Sequence, residues 1–177
     1  MKLPISFYRQ TDTLEIGKQL LGMSIFTKID NVITGGIIVE TEIYKGVDDK
    51  ASHAYNGLYS ERTKTMYEPG GVTYIYLCYG MHYLLNIVTN KKNIPHAVLI
   101  RAIEPTHGIE IMLKRRNKPK ILSNLSAGPG ALSKALGIDK KLNNIKLNSS
   151  TIWIERNSLK IEDKDILKSP RVGVDYA

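Results

Sequence analysis

The sequence predicts one folded domain that mixes helices with strands, and three observations carry that reading. Its length of 177 residues falls in the usual range of about 100 to 200 per domain. Hydrophobic residues make up 42% and charged residues 24%, enough apolar surface for a core and too little charge for a disordered chain. Runs with helical spacing and runs of β-branched and aromatic residues both occur, with no repeat or low-complexity linker between them. Residues 1–177 are therefore read as a single domain.

Several function classes are excluded early. One cysteine, Cys78, makes no internal disulfide and supplies no Cys-rich zinc site, so packing must hold the fold. The start, Met1-Lys2-Leu3-Pro4-Ile5-Ser6, lacks the apolar core of a signal peptide, and no run is long enough to span a bilayer. The expectation is an intracellular protein away from membranes. The charge is +8, with 25 Lys and Arg against 17 Asp and Glu, which favours a polyanionic partner. Lys outnumbers Arg 18 to 7 and Ile and Asn are plentiful, so a solvated basic surface is the alternative.

Taken in order, the first element is a helix over Asp12 to Leu21. Asp12 with Glu15 resembles a capping box, and Leu14, Gly17, Leu20 and Leu21 share a face. A turn at Thr34-Gly35-Gly36 leads into a strand from Gly36 to Tyr44. Alternation puts Glu40, Glu42 and Tyr44 on one face of it and Val39, Thr41 and Ile43 on the other. A carboxylate beside an aromatic ring suits a base next to a stacking platform; a polar outer face is the plainer reading. The stretch from Lys45 to Arg62 holds His53, Tyr55 and Tyr59, too long and aromatic for a simple connector. His53 is a site candidate there, or an ordinary loop histidine.

The runs Val72 to Tyr79 and His82 to Thr89 flank Gly80-Met81 and predict a hairpin with a type II′ turn, with Tyr79 at its tip. A ring at such a tip packs locally or inserts between bases. Asn86 interrupts one apolar strand, and Arg101 interrupts the next, Ala97 to Ile103. A guanidinium there needs an acid, a wet pocket or a phosphate, and Glu42 is an available partner.

After Glu104-Pro105 a helix follows with Ile109, Met112, Leu113 and Arg116 on one face. Between Ile111 and Lys146 stand nine basic residues and one acid, Asp139. That patch suits phosphate contacts, and Lys114, Arg115, Arg116 and Lys134 are the candidates for a nucleic-acid backbone. Ser126 to Gly137 reads as a Gly-Pro turn, a short helix and a glycine cap, and no Walker A loop is present.

Six blocks occur in a recognisable order. They are Val39-Glu40-Thr41-Glu42-Ile43-Tyr44 with His53, Tyr74 to Met81, Asn86, Leu99 to Pro105, Ser126-Ala127-Gly128-Pro129, and Arg171-Val172-Gly173-Val174. Together they resemble the alkyladenine (3-methyladenine) DNA glycosylase family of the mammalian type, over most of the chain. The resemblance implies a single-domain α+β fold, a curved antiparallel β-sheet with surrounding helices and a protruding β-hairpin that enters the minor groove.

It also implies roles. Glu42 is the general base for water, and Arg101 helps to hold that water. Tyr44, His53 and Tyr76 line a pocket for an extruded base, Asn86 lies on its floor, and Tyr79 fills the vacated stack. No lysine stands where a nucleophile is expected, so water attacks and an abasic site remains. The implied partner is double-stranded DNA containing damaged purines, bound by a monomer without metal or other cofactor. His53, His82, His96 and His107 show no ligand spacing.

Two departures stand out. The family continues beyond the Arg171 block with aromatic and Pro-containing residues, whereas this sequence ends at Asp175-Tyr176-Ala177, which predicts a trimmed or very compact version. His82 stands where an aromatic is expected beside the wedge. The rival reading is a noncatalytic nucleic-acid-binding module on the same scaffold, which leaves Glu42, Arg101 and the pocket aromatics without a task. A helix-hairpin-helix glycosylase would need a catalytic Asp about twenty residues after the glycine hairpin, and none is there.

Overall fold

The computed structural model describes residues 1–177 except 122, 123 and 175. Helix α1 (Thr13–Leu20) starts where the Asp12 carboxylate accepts from the backbone N–H groups of Leu14 and Glu15. It buries Thr13, Ile16, Gly17 and Leu20, the i, i+3, i+4, i+7 stripe, so Ile16 rather than Leu14 meets the core.

Strand β1 (Ser24–Ile29) turns through Asp30 and Asn31 into β2 (Val32–Lys45). Asp30 and Asn31 have φ of 50° and 62°, conformations that suit a tight hairpin turn and that short polar side chains tolerate. The expected turn at Thr34-Gly35-Gly36 lies instead inside β2. The glycines are there for space: a Cβ on Gly35 would sit 2.3 Å from the Phe26 ring, and one on Gly36 2.3 Å from the Glu104 carbonyl oxygen.

Strands β3 (Thr73–Cys78), β4 (His82–Thr89), β5 (His96–His107) and β6 (Ile152–Glu155) complete a sheet ordered β3-β4-β5-β2-β1-β6. Every pairing is antiparallel, and the sheet curls into half a barrel, so the α+β architecture holds. Helices α2 (Ile109–Arg116) and α3 (Pro129–Leu136) follow β5. Pro129 opens α3, where its missing N–H costs nothing, and Gly137 at φ 71° closes it as Ile138 donates back to Ser133.

The main core joins Ile16 and Leu20 of α1, Met112 of α2 and Leu132 and Leu136 of α3 to Ile38, Ile87 and Ile100 of the sheet. A second, smaller cluster of Ala54, Met66, Tyr74, Val88 and Ala97 lies where segment 46–72 packs on the sheet. Among the described residues no helix is long and apolar enough to cross a membrane.

One irregularity decides what each face carries. Ile38 pairs with Ile103, Glu40 with Ala102 and Thr41 with Ile100, so Val39 is an extra residue on β2 and Arg101 one on β5. Each bulge shifts the alternation by one. Ile38 thus faces the main core together with Ile100, and Thr41 and Ile43 face α1, where the Thr41 hydroxyl donates to the Gly17 carbonyl. Glu40, Glu42 and Arg101 meet one another away from it.

Candidate active site

Cross-strand register assembles the site. Tyr74 lies opposite Asn86, Asn86 opposite Leu99, and Leu99 opposite Glu42, a row across β3, β4, β5 and β2. Directly opposed residues in a ladder are about 5 Å apart, so four distant stretches of sequence meet on one surface.

Glu42 is only 5% exposed. One carboxylate oxygen accepts from the Arg101 guanidinium at 2.8 Å, and the other accepts from the Tyr44 hydroxyl. Arg101 also donates to Glu40 at 2.8 Å. Burial alone would make Arg101 easier to deprotonate, but Glu40 and Glu42 outweigh it and hold the guanidinium charged. Burial and the Glu42 contact push the Tyr44 phenol far above its ordinary value, so it remains a donor. A carboxylate offers about four lone-pair sites, so two bonds leave Glu42 room to accept a proton.

Beside it lies an aromatic pocket. Tyr44, His53, Tyr74, Tyr76, Asn86, Ala51, Met66 and Ala97 surround a cavity of about 30 Å³, room for a water and not for a purine. His53 meets Tyr76 edge-on, with ring centroids 4.4 Å apart, and its Nδ1 lies 2.8 Å from the Tyr74 hydroxyl. Burial, assisted by Arg62, pulls the His53 pKa down to about 4, so the ring is neutral at pH 7. Burial raises the Tyr74 phenol to about 12. Asn86 is buried, and its amide nitrogen donates to the Tyr74 carbonyl at 3.3 Å. On the other side of Glu42, a groove of about 640 Å³ runs between α1, β2 and residues 167–172.

Two arginines escape sequence reasoning. Arg171 grips Asp49 through both terminal nitrogens, at 2.6 and 2.9 Å, donates to the Ile43 carbonyl and lies 5.1 Å from the Tyr44 ring centre. Its place in a recognisable block is the one signal in the sequence. Arg62 donates to His53 Nε2 at 3.1 Å and lies 5.2 Å from the Tyr76 ring centre. Nothing in its polar surroundings announces that position.

Tyr79 is at the hairpin tip and 91% exposed, flanked by the exposed Leu77 and Met81. The turn differs from the expected type II′. Positive φ falls on Tyr79 (50°) and Gly80 (68°), with Met81 donating back to Cys78, the φ pattern of a type I′ turn. His82 packs against the start of α3, where a Cβ on Gly130 would come within 2.7 Å of its ring.

The basic candidates divide. Lys114 and Lys134 are exposed. Arg115 turns inward to the Thr34 hydroxyl and Ala135 carbonyl, at 3.0 and 3.1 Å, and Arg116 donates to the carbonyls of Leu125 and Asn124. These guanidiniums answer the unpaired carbonyls of loop and helix end. Among the described residues no group of three or more His, Cys, Asp or Glu could hold a metal ion.

Fold and geometry together set a buried carboxylate beside a small cavity lined by tyrosines and a histidine. The model of the family described as methylpurine-DNA glycosylase matches residues 6–177. A relative from Chlamydia felis, named "Putative 3-methyladenine DNA glycosylase", is 48% identical over 99% of this chain and 89% of its own. Relatives of the same name from Chlamydia pneumoniae and Clostridium acetobutylicum are 44% and 41% identical, over 97% and 100% of this chain and 86% and 88% of theirs. The chain belongs to the methylpurine-DNA glycosylase family. It is a DNA glycosylase, a DNA repair enzyme, and DNA is its substrate.

Proposed function

We propose that this enzyme extrudes alkylated or deaminated purines, of the 3-methyladenine, 7-methylguanine, hypoxanthine and ethenoadenine class, and hydrolyses their N-glycosidic bond. The observation that carries the reading is Glu42, buried between Arg101 and Tyr44 at the edge of an aromatic pocket.

A base inside a duplex is shielded, so it must leave the stack, and damaged or mispaired bases leave at least cost. Tyr79 fills the gap, supported by its exposure at the tip of the hairpin. Alkylation at N3 or N7 makes the purine cationic, which favours stacking on the Tyr44 and Tyr76 rings. Asn86 at the pocket floor screens the base edge, and neutral His53 offers hydrogen bonding to it.

Water oxygen bonds to C1′ as the bond from C1′ to the base nitrogen breaks. The bonding pair leaves on the base, so a cationic alkylpurine departs neutral. Glu42 takes the water proton and stabilises positive charge on the sugar, while Arg101 holds carboxylate and water in place. The product is an abasic site, and the enzyme is monofunctional. The groove beside Glu42 offers water a way in. The exposed Lys114 and Lys134 hold phosphates as the enzyme works as a monomer, and Arg115 and Arg116 add to the positive field.

The test is a panel of alkylated, deaminated and etheno-adduct duplexes. Wild type releases one or more of these bases, and Glu42→Gln slows release at least 100-fold, within the roughly 10²–10⁴ that general acid–base catalysis supplies. Release at the wild-type rate by Glu42→Gln sinks the assignment.

A further inference from the structure

We propose that Arg62 is the gate of the base pocket: its guanidinium occupies the place of the base, and a base enters only as Arg62 leaves. The proposal rests on the pocket's reading as a base site and adds to it what fills that site beforehand. Two surfaces a flat ligand needs, the face of Tyr76 and the edge of His53, are taken by one group, at 5.2 Å from the ring centre and 3.1 Å from Nε2. The remaining cavity of about 30 Å³ admits no purine, so something must move. Tyr74, Met66, Ala54 and Ala97 are held in the buried cluster. Arg62 is exposed, so its side chain has solvent to swing into.

The contact fixes a chemical state. A guanidinium has donors and no acceptor, so His53 Nε2 must carry a lone pair toward Arg62, and the ring proton resides on Nδ1, which donates to Tyr74. When Arg62 withdraws, that Nε2 acceptor faces the pocket, already in the state that receives an N–H from a base. The gate thus protects the acceptor from water and presets its tautomer. Arg62 acts here as a positioning residue, distinct from the groups that touch the reacting atoms.

Two measurements on the full chain test this. Nitrogen NMR of the imidazoles reads the tautomer: wild type shows His53 Nε2 unprotonated and Nδ1 protonated at pH 7, and Arg62→Ala mixes the two forms and moves the His53 titration upward. A protonated Nε2 in wild type overturns the proposal. Calorimetric titration with free hypoxanthine, a neutral probe, reads occupancy: Arg62→Ala and Arg62→Met bind it roughly ten-fold more tightly, because they no longer surrender a cation–π contact and a hydrogen bond. Equal or weaker binding in the variants, or none in any form, overturns the gate. Arg62→Met keeps the aliphatic stem and carries the test should Arg62→Ala fail to fold. Failure of the functional reading looks different: wild type would release no base from any damaged duplex, whatever the His53 spectrum shows.

Discussion

At the scale of single residues the chemistry depends on how each polar group is partnered. Glu42 is held by Arg101 and Tyr44, and Tyr44 in turn by Arg171, itself anchored on Asp49. Burial favours the neutral Asp49 carboxyl, but the Arg171 and backbone donors prevail and hold it below its ordinary value. Arg171→Ala therefore lowers stability by about 1–2 kcal/mol, a partly exposed pair being worth less than a buried one. Denaturant melts check the loss, and limited tryptic proteolysis after the exposed Lys168 should quicken as the terminal segment loosens. The Glu42 and Arg101 pairing is legible beforehand, because a guanidinium inside an apolar strand demands an acid. Arg171 and Asp49 are not, since 122 residues separate them and each alone looks like a surface charge.

Among the elements, the hairpin and the bulged pair carry the site. Tyr79 sits at φ 50°, a conformation costing a non-glycine residue about 1 kcal/mol, so its retention at an exposed tip fits a role outside the fold. Tyr79→Gly should raise hairpin stability slightly yet weaken binding to abasic-site DNA, which gel shifts and thermal melts can separate; unchanged DNA binding would overturn the wedge role. Gly36→Ala should destabilise by about 2 kcal/mol or more, since its Cβ meets the Glu104 carbonyl at 2.3 Å and backbone cannot yield as a side chain does. Chemical denaturation measures it. The strands β2, β3, β4 and β5 are legible from β-branched and aromatic runs. The Gly35-Gly36 turn misleads because glycine marks close approach as well as turns, and only the neighbouring Phe26 and Glu104 distinguish the two.

For the whole molecule, charge and pH are the properties that integrate over the fold. The basic surplus between Ile111 and Lys146 is partly spent inside, on carbonyls held by Arg115 and Arg116, leaving Lys114 and Lys134 exposed. Lys114→Ala and Lys134→Ala should each lower the slope of log binding against log salt by about one if they hold phosphates. Stability should fall with pH below the ordinary histidine value. Folded His53 titrates at about 4 instead of 6.5, so between those values the unfolded chain takes a proton that the folded one refuses. Melting temperature followed from pH 7 to 4 reports it, and His53→Gln removes that component.

The sequence by itself determined the class of fold, the hairpin with Tyr79 at its tip, the candidate carboxylate and the aromatic residues, since these follow from local periodicity and from motif order. Only the tertiary structure decided which way the chain's faces turn and which charges meet. A bulge on each of two paired strands exchanges buried for open faces, and no propensity of Val39 or Arg101 signals it. Partners such as Arg62 with His53 and Arg171 with Asp49 are set by where the folded chain passes, and that position is a property of packing rather than of the residues' own chemistry.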